Sequence, residues 1–532
     1  MPKCFNADRR RFLLRSGVFV SAAACRLSGA PRVFAAPALV GSDGERPQLL
    51  QGIQIGDVLE DRAIVWARAD RPARLVLDWD LDEHFRRPRR IQGPNALEDS
   101  DFTARVDVTG LPADQLVFLR VAFQGLGGSG LRSEPVIGRF RSAPESRRNL
   151  RFLWSGDTAG QGYGINPDAG GMRIYETMRS RSPDFFIHSG DNIYADGPIS
   201  AQQTVEDGKL WRNLVTEEKS KVAETLAEFR GNYKYNLLDD NLRRFNAEVP
   251  QVWQWDDHEV CNNWSASKDL SQDARYVEKS VPLLAARGKR AFLEYAPLRS
   301  AGDEERERVY RHIPYGPLLD VFVVDMRSYR GPNTDNLQSE ASDDTAFLGK
   351  PQIQWLKRGL LGSCATWKVV AADMPIGLMV RDGQDAQGRD RFEAIANGND
   401  GAPLGRELEI AGLLRFIKRH RITNVVWLTA DVHYTAAHYY DADKAQFGDF
   451  DSFWEFVSGP LNAGAFGPND PDHTFGMQVV FQKAAPVANA SPLSGCQFFG
   501  EVNIDGRDAT LTVTLRDLAN NALFERTLRP RS

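Results

Sequence analysis

The stretch PDFFIHSGDNIYADG (residues 183–197) joins a short apolar run to a crowded polar turn. Phe185, Phe186 and Ile187 are aromatic or β-branched and have the length of a buried strand. His188, Asp191, Asn192, Tyr194 and Asp196 follow at once. The pattern repeats downstream. LRFLWSGD, VPQVWQWDDHE, LLDVFVVDMR, TWKVVAADMP and NVVWLTADVH are further apolar strands with acidic residues at or just beyond their ends. Helical stretches lie between them, among them GGMRIYETMRSR, EKSKVAETLAEFRGNYKYNLLDDNLRRF and GRELEIAGLLRFIKRHR. Buried strands separated by helices predict an α/β layer fold, in which ligands sit at the strand ends. GEVNIDG, ATLTVTLRD and ALFERTLRP then read as closing antiparallel strands of the same domain, placed at residues 150–525.

Upstream the periodicity changes. RAIVWARA, ARLVLDWD, TARVDVTG, VFLRVAFQG and VIGRFRSA alternate apolar and polar positions with turn residues between them. Five such strands in residues 45–145 predict a β-sandwich of immunoglobulin or fibronectin type, joined through the polar linker SAPESRRN. A chain of 532 residues exceeds one ordinary core, which agrees with two domains. The composition, 42% hydrophobic and 26% charged, is that of a soluble globular protein.

Residues 1–36 have the layout of an export signal: basic residues, an apolar stretch, then small residues near Ala35. Arg9-Arg10-Arg11-Phe12-Leu13 fits the twin-arginine pattern, so the expected partner is the twin-arginine export machinery and the expected location periplasmic or secreted. A lipid anchor at Cys25 is disfavoured, because the usual leucine is missing. No later apolar run is long enough to span a bilayer. Removing the signal takes the formal charge from -5 to about -11, which excludes nucleic-acid binding by bulk electrostatics. Cys261, Cys364 and Cys496 would remain, too few and too scattered for a disulfide framework, and are expected as buried free thiols.

The candidate site consists of Asp157, Asp191, Tyr194, Asp256, Asp257, His258, Glu259, Asp325, Arg327, Asp373, Asp431 and His433. Any one aspartate alone reads as a strand cap or helix N-cap. Together at one sheet edge they would repel, unless cations neutralise them. Oxygen donors dominate and the chain has only 8 histidines, which favours calcium, magnesium or manganese over a His-rich zinc site. Tyr194, if a phenolate ligand, needs a strong Lewis acid and so points to ferric iron; a plain core tyrosine is the alternative. Two neighbouring cations suit hydrolysis of a phosphate ester, with hydroxide attacking in line opposite the leaving group. His258 could protonate the leaving oxygen, and Arg327 could fork onto the phosphate.

GDNIYADG, WDDHEVCNNW, DMRSYRG and LTADVH resemble the alkaline phosphatase D family of metallophosphoesterases, as do QGIQIGDVLEDRAIVWAR and EFVSGPLNAG. The resemblance covers nearly the whole mature chain. It implies an N-terminal sandwich followed by a four-layer α/β/β/α metallophosphoesterase domain. Similarity to purple acid phosphatases implies Asp157 and Asp191 in the first two metal motifs, with Asp191 bridging and Tyr194 on iron. It further implies Asp257 in place of a metal-binding Asn, His258 as the catalytic His, and Asp373, Asp431 and His433 in the remaining ligand places. Two or more metal ions are then expected, Fe3+ and Ca2+ first, with Mn2+, Mg2+ or Zn2+ as alternatives. Family members often carry a Cys iron ligand at the end of the first strand; here Trp154-Ser155-Gly156-Asp157 stands there. His188, Asp196, Arg330 and His438 are expected as supporting or structural residues. The expected substrate is a small phosphate mono- or diester. The alternatives are a phospholipase D-like phosphodiesterase and a cell-surface binding protein with a structural metal site.

Overall fold

The computed structural model describes residues 45–127, 130–300, 305 and 307–531. The export signal expected at residues 1–36 lies outside them. Two large sheets dominate the fold. One has nine strands, in the order Ala522–Leu528, Leu511–Asp517, Phe498–Ile504, Leu150–Ser155, Phe185–Ser189, Gln251–Gln254, Ile53–Gly56, Arg62–Arg68 and Thr103–Thr109. The other has seven, in the order Arg311–Pro314, Leu319–Val323, Trp367–Ala371, Val425–Thr429, Phe453–Val457, Thr435–Tyr440 and Met477–Lys483.

Strand alternation explains how the layers stack. Phe152, Trp154, Phe185, Ile187 and Val252 of the first sheet share a buried cluster with Val321, Val323, Val369, Ala371 and Leu428 of the second. Their sequence neighbours point the other way. Leu153, Phe186 and Trp253 pack on the helices Ile174–Ser180, Leu226–Asn236, Asp240–Glu248 and Val281–Tyr295. Phe322, Val370 and Trp427 pack on Lys350–Gly362 and Glu407–Arg419. Strands apolar on both faces must be covered on both faces. The result is the expected four-layer α/β/β/α arrangement.

All five N-terminal strands read from the sequence form, and two more appear. Arg89–Ala96, with Gly93 and Pro94 inside it, is an edge strand of a four-stranded sheet with Ala73–Asp80, Leu116–Gly125 and Val136–Arg141. This sheet packs over Ile53–Gly56, Arg62–Arg68 and Thr103–Thr109 around Leu75, Leu77, Val65, Val106 and Leu119. One layer of this sandwich therefore continues into the nine-stranded sheet, where Gly56 pairs in parallel with Gln251.

Three details differ from the sequence reading. The long helical stretch after residue 217 breaks into two helices, because the Asp239 carboxylate caps the second by accepting the Leu242 amide at 2.9 Å. The helices Val281–Tyr295 and Lys350–Gly362 were not among those read from periodicity. Of the three free cysteines, Cys261 and Cys496 are buried, whereas Cys364 is exposed.

Candidate metal centre

The parallel strands Leu150–Ser155, Phe185–Ser189 and Gln251–Gln254 of one sheet, and Leu319–Val323, Trp367–Ala371 and Val425–Thr429 of the other, aim their C-terminal ends at one place. The turns beyond them are sharp. Asp157, Asp191, Asp431 and His433 adopt φ of 66°, 51°, 65° and 60°. Such left-handed backbone is rare outside glycine and clusters at functional sites.

Three groups of donors lie close enough to hold a cation, their ligand atoms all within 4.8 Å of one another. The first is Asp157, Asp191 and His433; the second Asp191, Asp257 and His258; the third Asp256, Asp257 and Asp431. Asp191 links the first two groups and Asp257 the last two. Tyr194 joins the first group, its hydroxyl 2.8 Å from His433 Nε2. His433 Nδ1 donates to the Gly464 carbonyl, which leaves the Nε2 lone pair facing the Tyr194 hydroxyl, 3.6 Å from Asp157 Oδ1. Asp373 belongs to none of these groups; its Oδ2 lies 3.7 Å from Arg327 Nε.

The carboxylates fit cations because so many of their oxygens lack other partners. Asp157 Oδ2, Asp191 Oδ2, Asp256 Oδ2, Asp257 Oδ1 and both Asp373 oxygens are buried without a hydrogen bond. Burial, reinforced by the charge of Asp256, pushes the Asp157, Asp373 and Asp431 carboxyls well above the usual carboxylate range. Burial and Asp257 do the same to Asp191. Buried carboxylates in such surroundings take up either protons or metal ions. Asp257 is the exception: burial opposes its charge, but His258, Arg327 and the Asn263 amide hold it down to about 2.

His258 stands beside this cluster. Its Nδ1 lies 2.6 Å from Asp196 Oδ1, and its ring centroid lies 4.2 Å from that of Tyr194, the planes tilted by 30°. Burial favours the neutral ring, yet Asp196 and Asp257 outweigh it and raise His258 to about 10. For His433 burial outweighs the nearby carboxylates, so its ring falls to about 4 and is neutral. Arg327 is fully enclosed; its Nε donates to Asp256 and its Nη1 to Glu393, leaving only Nη2 unpartnered.

Several residues of the centre carry no ligand or catalytic role in the sequence reading. Asp256 was noted at a strand end but given no ligand role, because its neighbour Asp257 held the motif position. Glu259 accepts the Asn192 amide at 2.6 Å and the Asp256 amide at 2.8 Å, tying the Asp191 turn to the Asp257 turn. Glu393 directly follows the short strand Asp390–Phe392 and carries no local signal, and only the fold brings it to Arg327. Buried Lys219 donates to the Tyr194 carbonyl at 2.6 Å and fixes that loop from below. His188 and His438 stay outside the donor groups, bonded to Thr158 at 2.6 Å and Glu455 at 3.0 Å.

Comparison with known proteins supplies the family. A family described as PhoD-like phosphatase matches residues 152–515, and its N-terminal domain matches residues 35–144. Alkaline phosphatase D of Bacillus subtilis (strain 168) is 28% identical over 485 residues, covering 86% of this chain and 77% of its own length. A solved structure of PhoD superposes with a TM-score of 0.66 at 21% identity, covering 91% of this chain and 93% of its own. A purple acid phosphatase from yellow lupin (Lupinus luteus) seeds gives 0.53 at 11% identity, covering 91% and 74%. With its carboxylate and histidine clusters at the strand ends, the protein is a metal-dependent hydrolase of the phosphatase/phosphodiesterase class, and the chain belongs to the PhoD-like phosphatase family.

Proposed function

We propose that this chain hydrolyses phosphate mono- or diesters at a dinuclear centre and is exported folded by the twin-arginine route. The observation that carries the reading is the sharing of Asp191 and Asp257 between neighbouring donor groups. A shared carboxylate places two cations side by side. Asp157, Asp191, Tyr194 and His433 would hold the first, ferric iron by the chemistry of the phenol donor. Asp191 and Asp257 would hold the second, with Asp256 and Asp431 beside them as all-oxygen donors suited to calcium. When bound, such a pair supplies Lewis acidity to a phosphoryl group and acidifies a water.

The side chains perform the rest. His258, held protonated by Asp196, carries its second N–H at Nε2 and would deliver that proton to the leaving oxygen. Arg327 balances Asp256 and Glu393 through its Nε and Nη1, so its part in phosphate binding rests on Nη2 alone. Glu259 keeps the two metal-bearing turns in register.

The test is turnover of p-nitrophenyl phosphate and bis-p-nitrophenyl phosphate by the metal-loaded protein, with and without a chelator. Asp191→Asn and Asp257→Ala should each abolish turnover while circular dichroism is unchanged. Full activity in either folded variant overturns the dinuclear reading. Export is tested separately, by replacing Arg9 and Arg10 with lysine and following the protein into the periplasmic fraction.

A further inference from the structure

A cavity of about 640 Å³ opens at the far end of two strands that lead to the metal centre. Trp367 and Val425, which line it, begin the strands Trp367–Ala371 and Val425–Thr429. Those strands end next to Asp373 and Asp431. Five extended residues span roughly 16 Å, so the cavity is well separated from the carboxylates.

Its size falls in the range of small-molecule sites. Leu414 and Ile417 of the helix Glu407–Arg419 contribute apolar floor. Tyr439 and Trp454, with ring centroids 5.0 Å apart, add an aromatic wall. Around this surface stand Arg526, Arg529 and Arg531. The Arg526 guanidinium lies 4.8 Å from the Trp454 ring centroid. None of the three arginines forms an ion pair with a carboxylate among the described residues, and exposed Asp451 is the one acid in the lining. On a chain of net charge -5, three guanidiniums without a carboxylate partner among the described residues, beside a half-buried aromatic wall, are a local reversal of sign.

We infer that this cavity binds a free amphipathic anion: one molecule with an alkyl or aryl body and a carboxylate, sulfonate or phosphate head. The body lies on Trp454 and Tyr439, and the head meets the arginines. A concave pocket of this volume takes a single molecule rather than a bilayer face, so a monomeric amphiphile is the occupant. The site stands apart from the phosphoesterase centre and does not depend on the reading of that centre.

Calorimetric titration of the metal-loaded full chain with sodium decanoate below its micellar concentration tests the inference. Saturable binding near one per chain, with a change in tryptophan fluorescence, is expected. Affinity should fall at least tenfold in the R526Q/R529Q/R531Q variant and in Trp454→Ala, both with wild-type melting temperature. Asp191→Asn, altered only at the metal centre, should bind decanoate like the wild type, and neutral decanol should bind at least tenfold more weakly. Absence of saturable binding, equal affinity in the triple-glutamine variant, or binding only to vesicles of anionic lipid would overturn it.

Discussion

His258 and Asp196 form a buried dyad: Nδ1 of the imidazole lies 2.6 Å from Oδ1, while Oδ2 of the same carboxylate accepts the Asn262 amide at 2.8 Å. The carboxylate fixes the ring's orientation and favours its charged form. In Asp196→Asn that negative charge is gone, so the imidazolium is less stable and titrates below about 10. With His258 as the proton donor, kcat should drop roughly 10–100-fold with KM little changed. The alkaline limb of the kcat profile should move to lower pH. A profile that keeps its alkaline limb would assign the proton to another group.

Cation removal should reverse the pH dependence of stability. In the metal-free protein, Asp157, Asp191, Asp373 and Asp431 have carboxyls raised above their unfolded values. The folded state then binds more protons than the unfolded chain above the ordinary carboxylate pKa, and stability falls as pH rises through this window. Chelated protein should therefore melt higher at pH 5 than at pH 8. Protein saturated with cations should not, because metal ions compete with protons for the same oxygens. Calorimetry at the two pH values, with and without chelator, decides the matter.

Two glycines make room for the centre. A Cβ added at Gly160 would lie 2.1 Å from the Tyr194 ring, and one at Gly459 would lie 2.2 Å from Asp157 Oδ2. Gly160→Ala and Gly459→Ala should each displace a donor and weaken metal retention about 10–100-fold, the loss typical when ligand positioning fails. The control is Gly110→Ala, where a Cβ meets nothing within 4 Å, although φ of 72° adds local strain. Metal content after dialysis, measured beside melting temperature, separates this from unfolding.

Tyr194 makes its polar contact with His433 at 2.8 Å inside the first donor group. Iron-loaded protein should show a visible charge-transfer band from a phenolate ligand. Tyr194→Phe should lose that band and keep its fold, since it removes only the hydroxyl and retains the ring that lies 4.2 Å from His258, tilted by 30°. A band of undiminished intensity in the variant would remove Tyr194 from the coordination sphere.

What was legible in sequence was local. Runs such as FLWS and FFIHS carry their own burial pattern, and an aspartate just beyond an apolar strand marks the strand's end wherever that end lies. Asp157, Asp191, Asp257, Asp431 and His433 were accessible in this way, because each sits within a few residues of the strand that aims it. Three things depended on the tertiary fold. Strand order decided that Ile53–Gly56 pairs beside Gln251–Gln254 and carries one layer of the N-terminal sandwich into the central sheet. Chain-distant contact brought Glu393 to Arg327, 66 residues apart in sequence, which ties that guanidinium into an internal ion-pair network. Packing alone placed Gly160 against Tyr194 and Gly459 against Asp157. Periodicity encodes which face of a strand is buried; which strands become neighbours is set by long-range packing that no local pattern contains.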